Sequence, residues 1–170
     1  DPPPCSVAYP SANAVYEQGL PITPNMPSWA CGDPESWSIA PALPAGLALD
    51  PLTGVISGTP LDLLPPTLFL VTAENVSGED KVQISIEVVE AAPCALSYAD
   101  NPVTYQMGLA ITPNPASHGC GAADSFTVTP ALPAGLLLDP LTGEISGTPT
   151  TLAASTVHTI TASNGTGSSS

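Results

Sequence analysis

The residues with the clearest chemistry are four cysteines, Cys5, Cys31, Cys94 and Cys120, in a chain of 170 residues. Thiolates either hold a metal or oxidise in pairs. A structural zinc site needs closely spaced Cys and His ligands, and the sequence contains no Cys-x-x-Cys and no Cys/His cluster. Cys5 to Cys31 and Cys94 to Cys120 both span 26 residues. That equality favours one bridge in each half, Cys5–Cys31 and Cys94–Cys120, among the three pairings open to four cysteines. Disulfides persist in oxidising compartments, so a secreted, extracellular or cell-surface location is expected.

The other reactive side chains do not converge on a reaction. His118 and His158 have no partnered nucleophile, which general-base catalysis would need. No Gly-x-Ser-x-Gly elbow occurs, so no enzyme is expected and no cofactor is called for. Calcium wants several oxygens from closely spaced acids. Asp50 and Asp139 are single turn residues, and Glu79-Asp80 and Asp33 with Glu35 are only near pairs, so no metal site is expected. Asn75-Val76-Ser77 and Asn164-Gly165-Thr166 fit the N-glycosylation pattern and mark N-linked glycans as partners in a secreted eukaryotic chain. A structural reading stands beside it, that asparagine suits the hairpin turn.

Composition narrows the classes further. Fifteen acidic residues face one basic residue, Lys81, for a net charge of -14. Such a surface repels phosphate backbones and offers no basic patch to anionic lipid, so no nucleic acid is expected as a partner. Only 9% of residues are charged and 43% are hydrophobic, which supports packed cores rather than an acidic tail. No apolar run approaches the ~18 residues of a spanning helix, so no direct membrane insertion is expected. The chain opens at Asp1-Pro2-Pro3-Pro4 without signal-like features, and any secretion signal is expected to have been removed.

These residues are positioned by a duplication. Leu43-Pro44-Ala45-Gly46-Leu47 returns as Leu132-Pro133-Ala134-Gly135-Leu136, 89 residues on. At the same offset Asp50-Pro51-Leu52-Thr53-Gly54 returns at 139–143 and Ile56-Ser57-Gly58-Thr59-Pro60 at 145–149. Tyr9, Tyr16, Gly19, Ile22, Pro24 and Asn25 recur too. Val82–Val88 alternates apolar and polar residues, the period of a half-buried strand. Trp37 and Ile39 alternate with serines, and Phe69, Val71 and Ala73 share one face, matched by His158, Ile160 and Ala162. Asp50–Gly54 reads as a tight turn, and frequent prolines forbid long helices. Short strands with turns in about 90 residues predict a small β-sandwich. The fold class expected is therefore all-β, with two tandem immunoglobulin-like sandwiches over residues 4–92 and 93–170. The short proline-containing junction at Glu90-Ala91-Ala92-Pro93 is expected to hold the two end to end with little freedom, a geometry suited to a rod.

The Leu43–Pro60 string, followed by Thr72-Ala73-Glu74-Asn75 and repeated at 132–149 and 161–164, resembles the He_PIG-type immunoglobulin-like repeats, cadherin-like modules strung in tandem in large bacterial and algal surface proteins. Ile22-Thr23-Pro24-Asn25 and Ile111-Thr112-Pro113-Asn114 are similar to the version in mastigoneme-type flagellar-hair glycoproteins. Cys31-Gly32 and Cys120-Gly121 depart from it, standing where a Gly-Gly pair is more usual. The resemblance implies architecture and location and no particular ligand. In such a wall-type protein the clusters Pro2-Pro3-Pro4 and Pro65-Pro66 would carry O-linked glycans.

Copy one runs from Gly78 into Lys81–Val88, whereas Ser168-Ser169-Ser170 fall at the positions of Glu79, Asp80 and Lys81. The second sandwich is therefore expected to lack its C-terminal strand. Its assembly edge would then be Thr156, Val157, His158, Thr159, Ile160, Thr161, Ala162 and Ser163. Two explanations stand: a longer array read partway through, or a strand donated by a neighbouring subunit. The function expected is a structural subunit or fragment of an extracellular filament or surface appendage that self-associates into a polymer. The alternative is an adhesion module binding glycan or a partner protein through loops, with Trp29 as a candidate exposed aromatic.

Overall fold

A computed structural model describes residues 1–170. Every regular element is a strand, as the proline spacing requires. The chain divides into two units, Asp1–Glu90 and Ala91–Ser170, two residues ahead of the boundary expected from the repeat. The reason is packing: Ala91 is 1% exposed, and its carbonyl accepts a hydrogen bond from Asn164 of the second unit.

In the first unit the strands are β1 (Pro4–Ala8), β2 (Asn13–Glu17), β3 (Ser28–Cys31), β4 (Ser36–Ala40), β5 (Leu47–Leu49), β6 (Ile56–Gly58), β7 (Leu64–Asn75) and β8 (Gly78–Val89). The main sheet has the order β2-β8-β7-β4, with β1–β3 and β5–β6 as two-stranded ribbons. The β7–β8 hairpin is antiparallel from Asn75↔Gly78 to Leu64↔Val88, and β8 pairs in parallel with β2 on its other side. Its period-2 pattern puts Ile84, Ile86 and Val88 inward, at 1%, 1% and 3% exposure. They meet Phe69, Val71 and Ala73 of β7 and Trp37 of β4 in one core. Burying each large apolar side chain of this set contributes about 1.5–3 kcal/mol, so β8 supplies a substantial share of the unit's core.

The Asp50–Gly54 turn closes the other side. The Asp50 carboxylate accepts the amides of Leu52 (2.8 Å) and Thr53 (3.1 Å). These two bonds hold its pKa below the ordinary carboxylate value of 3.8. Gly54 has φ +69, and a Cβ there would lie 2.5 Å from the Trp37 ring. Tyr9 donates its hydroxyl to the Gly54 carbonyl at 2.5 Å, and burial pushes the Tyr9 phenol pKa up.

The second unit contains β9 (Pro93–Tyr98), β10 (Ala116–Cys120), β11 (Ser125–Thr129), β12 (Leu136–Leu138), β13 (Ile145–Gly147), β14 (Thr159–Ser163) and β15 (Ser168–Ser169). Its sheet order is β11-β14-β15, beside the ribbons β9–β10 and β12–β13. Asp139 caps Leu141 and Thr142 at 2.8 and 3.1 Å, and Tyr98 donates to the Gly143 carbonyl at 2.5 Å, repeating the first unit's turn. The two disulfides form as the spacing indicated, Cys5–Cys31 across β1–β3 and Cys94–Cys120 across β9–β10.

Replacing Cys5 and Cys31 together by serine is expected to lower the unfolding free energy of the first unit by about 3 kcal/mol, measured by urea denaturation of the oxidised chain and the variant. A carboxylate whose folded pKa is depressed contributes stability above its unfolded pKa, and that stability is lost as pH falls through the folded value. Titrating chemical stability from neutral pH to below the ordinary value of 3.8 should therefore show a loss on the acid side. The double change Asp50→Asn and Asp139→Asn should flatten it, and an unchanged acid slope would refute the capping account.

Candidate functional site

The side chains singled out by the sequence fall into three groups: the two sequon asparagines, the edge around β14, and the aromatic and acidic residues of the loops. Asn75 ends β7 and is 6% exposed. Its Nδ2 donates to the Pro2 carbonyl (2.8 Å) and the Asp33 carbonyl (3.3 Å), while its Oδ1 accepts the Ser77 amide (2.9 Å). Asn164, less deeply buried, repeats this: Nδ2 donates to Ala91 (2.8 Å) and Ala122 (3.0 Å), and Oδ1 accepts Thr166 (2.9 Å) and Gly167 (3.0 Å). Both amide hydrogens of each asparagine are thus engaged within its own unit. The turn reading of these residues accounts for the Oδ1 contacts. Local pattern could not give the Nδ2 contacts, whose partner carbonyls lie 73 and 42 residues away.

Along the predicted edge, strand geometry covers Thr159, Ile160, Thr161, Ala162 and Ser163, whereas Thr156, Val157 and His158 lie outside it. In the first unit the corresponding stretch of β7 is held by its ladder to β8, from Thr67↔Ile86 to Glu74↔Glu79. In the second unit β15 pairs with β14 only at Ala162↔Ser169 and Ser163↔Ser168, and β11 covers the other side from Ser125↔Ser163 to Thr129↔Thr159. Ala162 is fully buried, like its counterpart Ala73. Ile160 and His158 are only half-buried, where Val71 and Phe69 are 0% and 2% exposed. His158 keeps Nδ1 3.0 Å from the Pro130 carbonyl. Residues 102–106, the counterparts of β2, do not form a strand. They border a cavity of about 280 Å³ lined by Val103, Thr104, Tyr105, Gln106, Leu109 and Ile111 among others. The Tyr105 hydroxyl there has no partner, but neither has that of Tyr16 in the first unit, so it marks a shared feature of the repeat and not a ligand.

The loop residues are engaged locally. Trp29 is 39% exposed, meets Trp37 edge-on at 5.6 Å and donates Nε1 to Asp33 at 3.2 Å, so it caps the core. His118 holds the same place over Phe126 at 6.0 Å. Asp80 accepts the Val7 amide at 2.9 Å, and Glu79 pairs with Lys81 on the surface. Sequence reasoning missed Asn25 and Asn114 as contributors, although both recur. They are 4% and 2% exposed, each bridges to an isoleucine (Ile56, Ile145), and each donates Nδ2 to the loop carbonyls of Ser11 and Asp100 at 3.0 Å. Their repetition at one offset was the available signal.

Comparison with known proteins follows the same division. The family model described as "Putative Ig domain" (He_PIG) matches residues 4–90 and again 85–170. The "Serine-rich adhesin for platelets" of Staphylococcus aureus strain MRSA252 is 31% identical over 116 residues, which is 68% of this chain and 8% of that protein. The protein of that description from strain USA300 is 30% identical over 119 residues, 69% of this chain and 5% of its own. The chain therefore spans only 5–8% of the length of these relatives. Among solved structures, human protocadherin-24 EC1-2 is 13% identical, covering 87% of this chain and 78% of that one with a TM-score of 0.44. The titin fragment I67-I69 is 14% identical, covering 98% and 62% with a TM-score of 0.39. With two family matches that together span residues 4–170, the chain belongs to the He_PIG family of immunoglobulin-like domains, which it carries as two tandem copies.

Proposed function

We propose that this chain is a structural module of an extracellular, cell-surface assembly, and that its repeats assemble by adding strands edge to edge. One observation carries the reading. The chemically distinctive residues that recur between the copies all act inside their own unit: the cysteines as bridges, Tyr9 and Tyr98 as turn anchors, Asn25, Asn75, Asn114 and Asn164 as loop ties, Asp50 and Asp139 as caps. Selection of this kind supports a durable scaffold instead of a reaction centre. The two disulfides favour an oxidising, extracellular setting. Edge-to-edge addition is the assembly route open to β-sheet modules in general, because unpaired backbone groups on a strand edge are a template for another strand.

A second reading has its own support. The relatives from Staphylococcus aureus are described as adhesins for platelets, which favours an adhesion module presenting loops to glycan or protein. The two readings part on self-association. Sedimentation velocity of the full chain over a broad concentration range is expected to show concentration-dependent growth for the structural module. Thr159→Lys, a charge on the exposed edge position, should weaken that growth at least tenfold, since lysine on an edge blocks pairing. Leu52→Lys, at a turn residue 74% exposed, should leave it unchanged. A chain that stays monomeric throughout, or a Thr159→Lys variant that associates like the parent, would reject edge assembly and leave the adhesion reading.

A further inference from the structure

We propose that each repeat carries a clamp for the main chain of the residues just ahead of its first strand, built from the sequon asparagine and the glycine after the second cysteine. In the first unit the segment gripped is Asp1-Pro2-Pro3. Asn75 donates to the Pro2 carbonyl at 2.8 Å, Ser77 donates its hydroxyl to the Asp1 carbonyl at 2.5 Å, and the Gly32 amide donates to the Pro3 carbonyl at 3.2 Å. In the second unit the segment is Ala91-Ala92. Asn164 donates to the Ala91 carbonyl at 2.8 Å and the Gly121 amide to the Ala92 carbonyl at 3.2 Å. The glycine is required by space: a Cβ on Gly32 would lie 1.7 Å from the Pro2 oxygen, and one on Gly121 would lie 1.6 Å from the Ala91 oxygen.

The hydrogen bonds of the clamp are all made to carbonyl oxygens. Pro-Pro and Ala-Ala share no side-chain chemistry, yet they are held by the same donors at matching distances. Any extended segment without bulk against the glycine would fit, so the device suits a tandem protein whose linkers differ in sequence. In this chain it ties the junction residues Ala91 and Ala92 to the second unit.

The same geometry gives the two sequons a different meaning. An N-glycosidic bond at Nδ2 replaces one of its two N–H groups. In both units those two hydrogens serve the gripped segment and the loop carbonyl of Asp33 or Ala122. A glycan would therefore remove one of the two donor contacts of each asparagine and weaken the clamp, while the residue two places on returns its backbone amide to the asparagine Oδ1. Folded chain is expected to be unglycosylated at Asn75 and Asn164.

Amide exchange by NMR on the full oxidised chain tests this. Asn164→Asp keeps the Oδ1 acceptor for Thr166 and Gly167 but removes both donors. The Gly121 amide, which is bonded to Ala92, should then exchange at least tenfold faster, while the Phe126 amide, bonded to Pro140 in the same unit, stays within about twofold, as expected for loss of local hydrogen bonds. If Phe126 also exchanges fast, the unit has loosened, and Asn75→Asp read at Gly32 against Trp37 decides in its place. The second arm secretes the chain from a glycosylating eukaryotic host and measures intact mass and exchange. Unmodified chain, or modified chain that has lost Gly32 and Gly121 protection, supports the clamp. Unchanged Gly121 exchange in Asn164→Asp with Phe126 protected, or glycan at both sites with Gly32 and Gly121 as protected as in unmodified chain, overturns it.

Discussion

The contact on which the first unit turns is that between the Trp37 indole and the backbone of Gly54. It joins the main sheet to the turn that follows β5, and it leaves no room for a side chain at residue 54. Three other groups converge on the same spot. The Trp37 amide donates to the Pro51 carbonyl at 2.9 Å, the Tyr9 hydroxyl donates to Gly54, and Trp29 closes over the indole from β3. Through them β1, β3, β4 and the Asp50 turn are tied to one aromatic ring. In an interior packed to crystal density, a ring that fills its site fixes its neighbours, which explains why the long motif around the turn recurs so completely.

The second unit keeps the arrangement with smaller parts. Phe126 lies over Gly143, its amide donates to Pro140 at 2.8 Å, Tyr98 donates to Gly143, and His118 covers the ring. Indole becomes phenyl and tryptophan becomes histidine, and the Trp29–Asp33 side-chain bond is lost, yet the bonds of the ring amide and of the tyrosine hydroxyl survive, because each is made to a backbone carbonyl. The apolar volume changes between copies while the main-chain bonds do not. Main-chain acceptors are the same in every sequence, so a network built on them tolerates drift that a network of side-chain pairs would not.

Much of this was legible beforehand, for a physical reason in each case. Equal cysteine spacing gave the bridges, the period-2 run at Val82–Val88 gave the inward face of β8, and Asp-Pro-Leu-Thr-Gly gave the turn. What escaped the pattern depends on distant partners. The parallel pairing of β2 with β8 joins Asn13 to Ser85, and no local period announces it. The break between Cys5 and Ala8, with Ser6 at φ 53 and Cys31 at φ 66, follows from fitting a bridged ribbon and not from propensity. Strand character begins at Thr159 and not at Thr156, because propensity alone does not hold an edge stretch that a full ladder holds in the first unit. The asparagines were legible as turn residues, but not as ties to the segment ahead of the repeat.

That last difference bears on how a repeat is delimited. A motif counts from the first recognisable residue, here Pro4 and Pro93, whereas folding counts from the first residue whose backbone is satisfied by the unit. Asn164 and Gly121 satisfy Ala91 and Ala92, so the cooperative unit begins before the sequence repeat does. Buried carbonyls are costly to leave unpaired, and a repeat that supplies donors for its own approach segment removes that cost wherever it is inserted. The polar residues that look like sites in the sequence are, in this fold, ties to the backbone of the segment just ahead of each repeat.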